Sequence, residues 1–572
     1  MQNIKNTRLF EKNTYLSSSI LYITILIAAV IIASFFWNPV YGTSDDWILD
    51  SWFNSNYTGS FESGSIYTTA LFSYLTSALY SLQFGLAWYA IVLLIMTITS
   101  LTHLLVIINH DSLNKKDYIK SVIRIIFITS IFLWCYFGLT FTSTAIFSGI
   151  VGIISLLKSV EISAFRKVNS YLGIFLILMS YIIRPESLVG ALAVFAPLII
   201  IKLGQINKKN YYFQKKFIFT SLLVILVFFI NNSIENGQSS DTKEYRNWIE
   251  KVQVLADSPL QEGVREKLET AGWSVNEYHM FYDKLYFDKS VFDENWIEKG
   301  VGINEGYSSK IKVGIKQLNQ LVENHLNSVL LFFPSFLSII IGGLLLYRRV
   351  FNLGVLLKLG FILLWFLGLQ IYVAIFLHSV SRVTIPLYFG ICLILTINWW
   401  NLSLDLKKVS VKTKYIISGL TIIITVITLF NLNILQKNNN QNILISQDTT
   451  RLIKQDLSDY VIVVQGNQEF DQWRSPYISI KNDPIPNVIM FGNWDTFSPQ
   501  WNQRLQNIGL NSNNLTSDLL NKNNILWASQ DFPEATIHYL NFFSQNGYGQ
   551  YKFNLKSQLP NKSNLRYLSK ID

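Results

Sequence analysis

Apolar residues fall in long unbroken runs along this chain, with little of the alternation that marks half-buried strands. Ile20–Trp37, Phe84–Ile108, Phe217–Ile230, Val329–Leu346, Leu356–Leu377 and Val383–Trp399 carry little charge. About 18–20 apolar residues suffice to span a bilayer as a helix. Shorter apolar stretches near 121–140, 144–158, 169–183, 187–203 and 415–433 bring the expectation to about eleven helices. Two longer polar and aromatic connections, about 38–82 and 233–326, interrupt them. Within the first, Ile66–Leu82 is apolar but dotted with Tyr, Ser and Thr, which predicts a helix lying in the membrane interface. Tyr67, Tyr74 and Tyr80 would suit the headgroup zone.

After about residue 433 the pattern changes. "QKNNNQN" reads as a linker, and "YVIVVQG", "NVIMFG", "NILWASQ" and "GQYKFNL" read as strands. The amphipathic stretches "QWNQRLQNIG" and "PEATIHYLNFFSQNG" lie between them. The expected fold class is therefore mainly α: a polytopic transmembrane helical bundle over 1–433, with a small α/β domain over 434–572.

Composition agrees with the pattern. Of 572 residues 50% are hydrophobic and only 15% charged, against about 25% charged in an average soluble domain. The first apolar run ends in Phe35, Phe36 and Trp37 with no small-residue cleavage site, so it reads as a retained helix. Cys135 and Cys392 both fall in predicted membrane helices, which excludes a disulfide framework or a Cys-rich metal site. The net charge of +10 does not point to nucleic acid, because the basic residues gather in every second short connection. Lys5, Arg8 and Lys12 precede the first helix; Lys115, Lys116 and Lys120 follow the second; Lys208, Lys209, Lys215 and Lys216 precede the seventh. Positive-inside topology then predicts a cytoplasmic N-terminus and an external C-terminal domain.

The alternate, external connections carry the candidate chemistry. "GTSDDWILDSWF" leaves the first helix with Asp45, Asp46 and Asp50. Ser44 reads as an N-cap, with Asp45 and Asp46 ionised by the positive end of a short helix. Asp50 shares a face with Asp46 at i, i+4, where like charges repel, so a cap alone does not account for it. Glu62 follows in the same loop. "YIIRPESL" places Arg184 and Glu186 about a proline, and "FLHSVSRVTIPL" places His378 and Arg382 at a helix end. Ionisable groups at membrane edges are costly unless paired or functional. One reading makes the two arginines helix-holding salt bridges to rim acids; the other makes them ligands for an anion. The hydroxyls of "GLTFTSTA" mark a further turn.

Together, "TSDDWILDSWFNSNYTGSFES", "RPES" and "SRVTIPL" on this helical plan resemble the bacterial multi-pass glycosyltransferases of the GT-C superfamily. "DDW…YTG…ES…LY…AWY" and "GWSVNEYHMF" look like a group of bacterial surface-polysaccharide membrane proteins. The resemblance implies a multi-pass protein of the bacterial plasma membrane that moves a sugar from a polyprenyl-phosphate carrier to a glycan or lipid acceptor on the external face. On that reading Asp45 or Asp46 is the general base. Asp50, Glu62, Arg184, Glu186, His378 and Arg382 contact substrate, the arginines holding phosphate through their forked donors. "FGLTFTSTA" lacks the acids of the metal-dependent members, so no obligatory cofactor or metal is expected, although Asp46 and Asp50 could still hold a divalent ion. Two alternatives are an O-antigen-type polymerase or ligase, and a transporter or flippase of lipid-linked sugars. A transporter would place ionisable groups near the midplane and not at the rim.

Overall fold

The computed structural model describes residues 2–59, 64–82, 84–114, 118–159, 166–204, 208–256, 264–301, 440–464, 476–477, 487–529, 533–560 and 563–571, with isolated positions between 361 and 437. The long apolar runs form helices α1 (Gln2–Ser34), α4 (Trp88–Asn114), α5 (Tyr118–Phe137), α6 (Phe141–Ser159), α7 (Arg166–Ile183), α8 (Pro185–Gly204) and α9 (Lys208–Asn236). Two short helices, α2 (Ser44–Phe53) and α3 (Ala70–Ser81), fill the connection between α1 and α4. Among the described residues five helices are long and apolar enough to cross a membrane, in α1, α4, α6, α8 and α9. α5 and α7 add shorter apolar stretches. The described residues thus carry five spans of full length, and the expected count of eleven extends beyond them. The runs expected near 328–346, 354–377, 383–400 and 415–433 fall outside the described residues, isolated positions aside.

α6 is the centre of the bundle. Nearly all of its residues are buried, against α4, α7 and α8. Its contact with α7 depends on small residues: a Cβ added at Gly173 would stand 2.9 Å from Ser155 Cβ and 3.0 Å from the Gly152 carbonyl oxygen. Two helix backbones can approach this closely only where side chains are absent, the usual basis of helix packing in lipid. By contrast α1 exposes Ile20, Leu21, Ile31 and Ile32, and α9 exposes Ile218, Leu222, Leu226 and Phe229. These outer surfaces are apolar, as contact with lipid tails requires.

At the end of the bundle where α2 and α3 lie, a helical segment follows α9: α10 (Ser240–Ala256), α11 (Val264–Thr270), α12 (Val275–Tyr282) and α13 (Glu294–Val301). The Ser274 side chain accepts from the Glu277 N–H while the Glu277 carboxylate accepts from the Ser274 N–H, a capping box that starts α12. Trp273 and Trp296 stack with ring centroids 3.6 Å apart.

The C-terminal strands are β3 (Val461–Val464), β4 (Val488–Met490), β5 (Ile525–Ser529), β6 (Tyr551–Gln558) and β7 (Asn564–Lys570), in spatial order β4-β3-β5-β7-β6. β3 runs parallel to β4 and β5, whereas β7 pairs antiparallel with β5 and β6. β7 was absent from the expected strands. Its sequence, NLRYLSK, carries only Leu565 as a buried residue, so apolar content alone does not mark it. Helices over Pro499–Asn507 and Pro533–Gln545 lie in the connections, as the amphipathic stretches predict. β3 is covered on both faces. Ile462 and Val464 pack with Ile453 and Leu559, while Val461 and Val463 join the large core that also holds Trp248, Phe287 and Trp52. The sheet therefore shares one core with α10–α13 and with α2.

Candidate functional site

The aspartate-bearing segment is located by a two-residue parallel ladder. β1 (Val40–Tyr41) pairs with β2 (Gly138–Leu139), with Val40 opposite Gly138 and Tyr41 opposite Leu139. The Gly42 N–H continues the ladder to the Leu139 carbonyl at 2.9 Å. A Cβ on Gly42 would lie 2.4 Å from Thr140 Cγ2, so glycine is what lets the chain pass before α2 begins. The ladder sets the first turn of α2 beside the first turn of α6.

Ser44 is not the cap expected from sequence. Thr43 holds that position in extended backbone without a side-chain capping bond, and its hydroxyl donates to Asp46 Oδ2 at 2.6 Å. Asp46 Oδ1 accepts from the Tyr89 hydroxyl and from the Phe141 backbone N–H, both at 2.8 Å. Phe141 opens α6, so its N–H is one of the donors that the helix leaves unpaired. Asp50, a turn further on, accepts from the Tyr41 hydroxyl at 2.8 Å and from the Tyr80 hydroxyl. The Tyr80 oxygen accepts in turn from the Tyr89 N–H at 3.1 Å.

Both carboxyls are wholly buried, Asp46 at 0% and Asp50 at 1% exposure. Burial pushes each up to about 6, against the hydrogen bonds, which pull the other way. The expected i, i+4 repulsion is therefore met by hydroxyl and amide donors. No cation is needed to satisfy it.

Asp45 faces a different way. Its Oδ2 receives Arg382 Nη1 at 2.9 Å, with the carboxylate 14% and the guanidinium 24% exposed. The Ser143 hydroxyl donates to the Arg382 carbonyl at 3.1 Å, fixing that backbone against the start of α6. Arg184 fills the single-residue joint between α7 and α8. Pro185 cannot continue α7 but is well suited to the first position of α8. Arg184 Nη1 donates to Thr142 Oγ1 at 2.7 Å, and its guanidinium carbon lies 5.1 Å from the Phe141 ring centroid. Its Nε is 3.6 Å from Glu186 Oε2, on a glutamate that is 74% exposed. Burial lowers the Arg184 pKa; Glu186 and Asp45 oppose that shift and Arg382 adds to it, so the four charges share one field.

The structure thus brings Asp45, Arg382, Arg184 and Glu186 to one rim, and draws Asp46 and Asp50 into the frame beneath it. Glu62 and His378 lie outside the described residues. Of the three interfacial tyrosines, only Tyr74 is exposed. Tyr80 turns inward to Asp50, and Tyr67 meets Trp494 edge-on at 4.9 Å.

Trp494 belongs to a loop of the terminal domain that the sequence reading did not single out. The Tyr57 hydroxyl donates to Asp495 Oδ2 at 2.5 Å, Trp52 lies 5.0 Å from Trp494, and Asn507 Nδ2 donates to the Thr58 carbonyl at 2.6 Å. Asp495 is buried and raised to about 6 by that burial. "GNWDTFSPQW" carried a visible signal, two tryptophans around an acid between a strand and an amphipathic helix. Its partner in the first connection was not legible. No protein-family model, no curated protein and no solved structure matches the chain.

Proposed function

We propose that this chain is a membrane glycosyltransferase of GT-C type, using a polyprenyl-phosphate sugar at the rim formed by Asp45, Arg382 and Arg184. The observation that carries the reading is the Asp45–Arg382 contact at 2.9 Å on a partly exposed rim, with Arg184 in the same field. An acceptor hydroxyl attacks the anomeric carbon, its proton passes to Asp45, and the bond from that carbon to the phosphate oxygen breaks with its electron pair. The leaving polyprenyl phosphate gains negative charge, which Arg382 and Arg184 neutralise. A single displacement inverts the sugar. Phosphate arriving at Arg382 competes with Asp45 for the same guanidinium, so donor binding frees the carboxylate for the acceptor. Asp46 and Asp50 act at one remove, by holding α2 against α6. The end of the bundle bearing the sheet faces outward from a bacterial plasma membrane, and the exposed apolar face of α3 (Leu75 and Tyr74) rests on the bilayer surface.

The test is transfer from polyprenyl-phosphate sugars by purified protein. Asp45→Asn and Arg382→Ala lose about 10²–10⁴-fold in rate, the range of a general base. Arg382→Lys recovers only part of that, because an ammonium lacks the guanidinium fork. Full activity in Asp45→Asn and Arg382→Ala removes the rim mechanism.

A further inference from the structure

We infer that His279, Asp283 and His538 form a binding site for a single zinc-type transition-metal ion, which ties α12 to the helix Pro533–Gln545. One ligand atom from each of the three lies within 4.8 Å of the others. His279 lies in the last turn of α12 and Asp283 is the residue that caps it, its N–H donating to the His279 carbonyl at 2.8 Å, so both stand at the same end of the helix. His538 comes from the facing helix of the terminal domain. The two imidazole rings lie nearly parallel, 13° apart, with centroids at 4.8 Å. His538 Nε2 is 4.0 Å from Asp283 Oδ2.

The hydrogen bonds around His538 fix which of its nitrogens is the ligand. Asn276 Nδ2 donates to the His538 carbonyl at 3.0 Å, and a carbonyl accepts only from the amide nitrogen. That settles the Asn276 amide so that its oxygen faces His538 Nδ1, at 2.9 Å. An oxygen there requires a proton on Nδ1, so the neutral ring presents the lone pair of Nε2 toward Asp283. An outer partner that holds the tautomer of a metal-binding histidine is the common arrangement of such sites.

Two imidazoles and one carboxylate suit zinc, cobalt or nickel, whereas magnesium and calcium prefer all-oxygen shells. Tetrahedral zinc, with bonds of about 2.0–2.1 Å, places donor atoms about 3.3 Å apart. The present cluster is wider and closes by side-chain rotation. Asp283 is the side chain free to make it, since it is 50% exposed, while His538 is held at 15%. Three protein ligands leave the fourth position to water on the exposed side. The site shares no residue with the Asp45 rim and does not depend on the sugar-transfer reading.

The test is titration of the purified full-length chain in detergent with Co²⁺, whose visible absorption separates tetrahedral from octahedral coordination, followed by displacement with Zn²⁺. We expect one equivalent in a tetrahedral spectrum, lost in His279→Gln and in His538→Gln, and binding weakened about 10–100-fold in Asn276→Ala. The wild-type spectrum needs no variant to fold. Thermal midpoint provides the second reading: Zn²⁺ raises it in wild type and leaves it unmoved in His538→Gln. An octahedral spectrum, no saturable binding, or binding equally tight in both glutamine variants overturns the site.

Discussion

The buried pair Asp46 and Asp50 gives the fold an unusual response to pH. Each carboxyl has a folded value near 6 against 3.8 for an ordinary aspartate. Between those values the folded chain holds a proton that the unfolded chain has released. The stability attached to that proton is therefore fully present below about pH 3.8 and lost as the pH rises through 6. The rise corresponds to about 3 kcal/mol per carboxyl, an upper figure because the two sit one turn apart on α2 and titrate together. Asn is a fair replacement at both sites. Its oxygen keeps the bonds from Tyr89 and Phe141 at position 46, where the Thr43 hydroxyl can turn to accept from the NH₂; at position 50 one of Tyr41 and Tyr80 goes on donating to the amide oxygen and the other turns to accept from the NH₂. The expected result is a thermal midpoint in detergent that falls for wild type between pH 4 and 7 relative to Asp46→Asn/Asp50→Asn. The double variant is the more stable of the two at pH 8. Asp50→Ala, in contrast, strands the Tyr41 and Tyr80 hydroxyls, a cost of about 1–3 kcal/mol for each that does not vary with pH and adds to the loss of the titrating carboxyl. A wild-type minus double-variant difference that does not change with pH refutes the reasoning. So does a double variant that is less stable than wild type at pH 8 by as much as Asp50→Ala.

Other outcomes follow from particular contacts. A double-mutant cycle on Tyr57→Phe and Asp495→Asn gives a coupling of about 1.5–3 kcal/mol, the range of a buried bond to a charged group, measured by thermal unfolding; a coupling near zero removes this bond as the tie between the first connection and the terminal domain. Gly173→Val forces a side chain into the α6–α7 contact and destabilises by about 1–3 kcal/mol or more, whereas Gly204→Ala, where nothing lies within 4 Å, is near neutral; equal effects refute the close packing. Trp494→Ala removes a ring shared by Trp52 and Tyr67, costs about 3–5 kcal/mol, and speeds proteolysis of the loop over residues 492–498; unchanged cleavage would show that the loop is held elsewhere.

Much of the architecture was legible because burial in a membrane leaves a long-range record along the chain. A helix that crosses lipid must be apolar over its whole length, so α1, α4, α6, α8 and α9 announce themselves without reference to a partner. The joint at Arg184 was legible for a local reason as well, since proline ends one helix and starts the next. β3 to β6 stood out by their Val, Ile, Phe and Trp. β7 did not, because a strand with one buried leucine leaves almost no hydrophobic pattern even when it is paired on both sides.

The candidate site divides the same way. The sequence by itself determined that acids and arginines would gather where helices leave the membrane, because charge is costly further in. It could not sort three aspartates that share one short helix. Tertiary structure decided that, through hydrogen bonds from residues far along the chain. Tyr89 and Phe141 claim Asp46, Tyr41 and Tyr80 claim Asp50, and Arg382 meets Asp45 across 337 positions. A hydroxyl or guanidinium has no sequence signature for its partner, since the contact arises only when separate helices are packed. The same is true of Asp495 against Tyr57 and of His538 against α12, where the terminal domain folds back onto the segments before it.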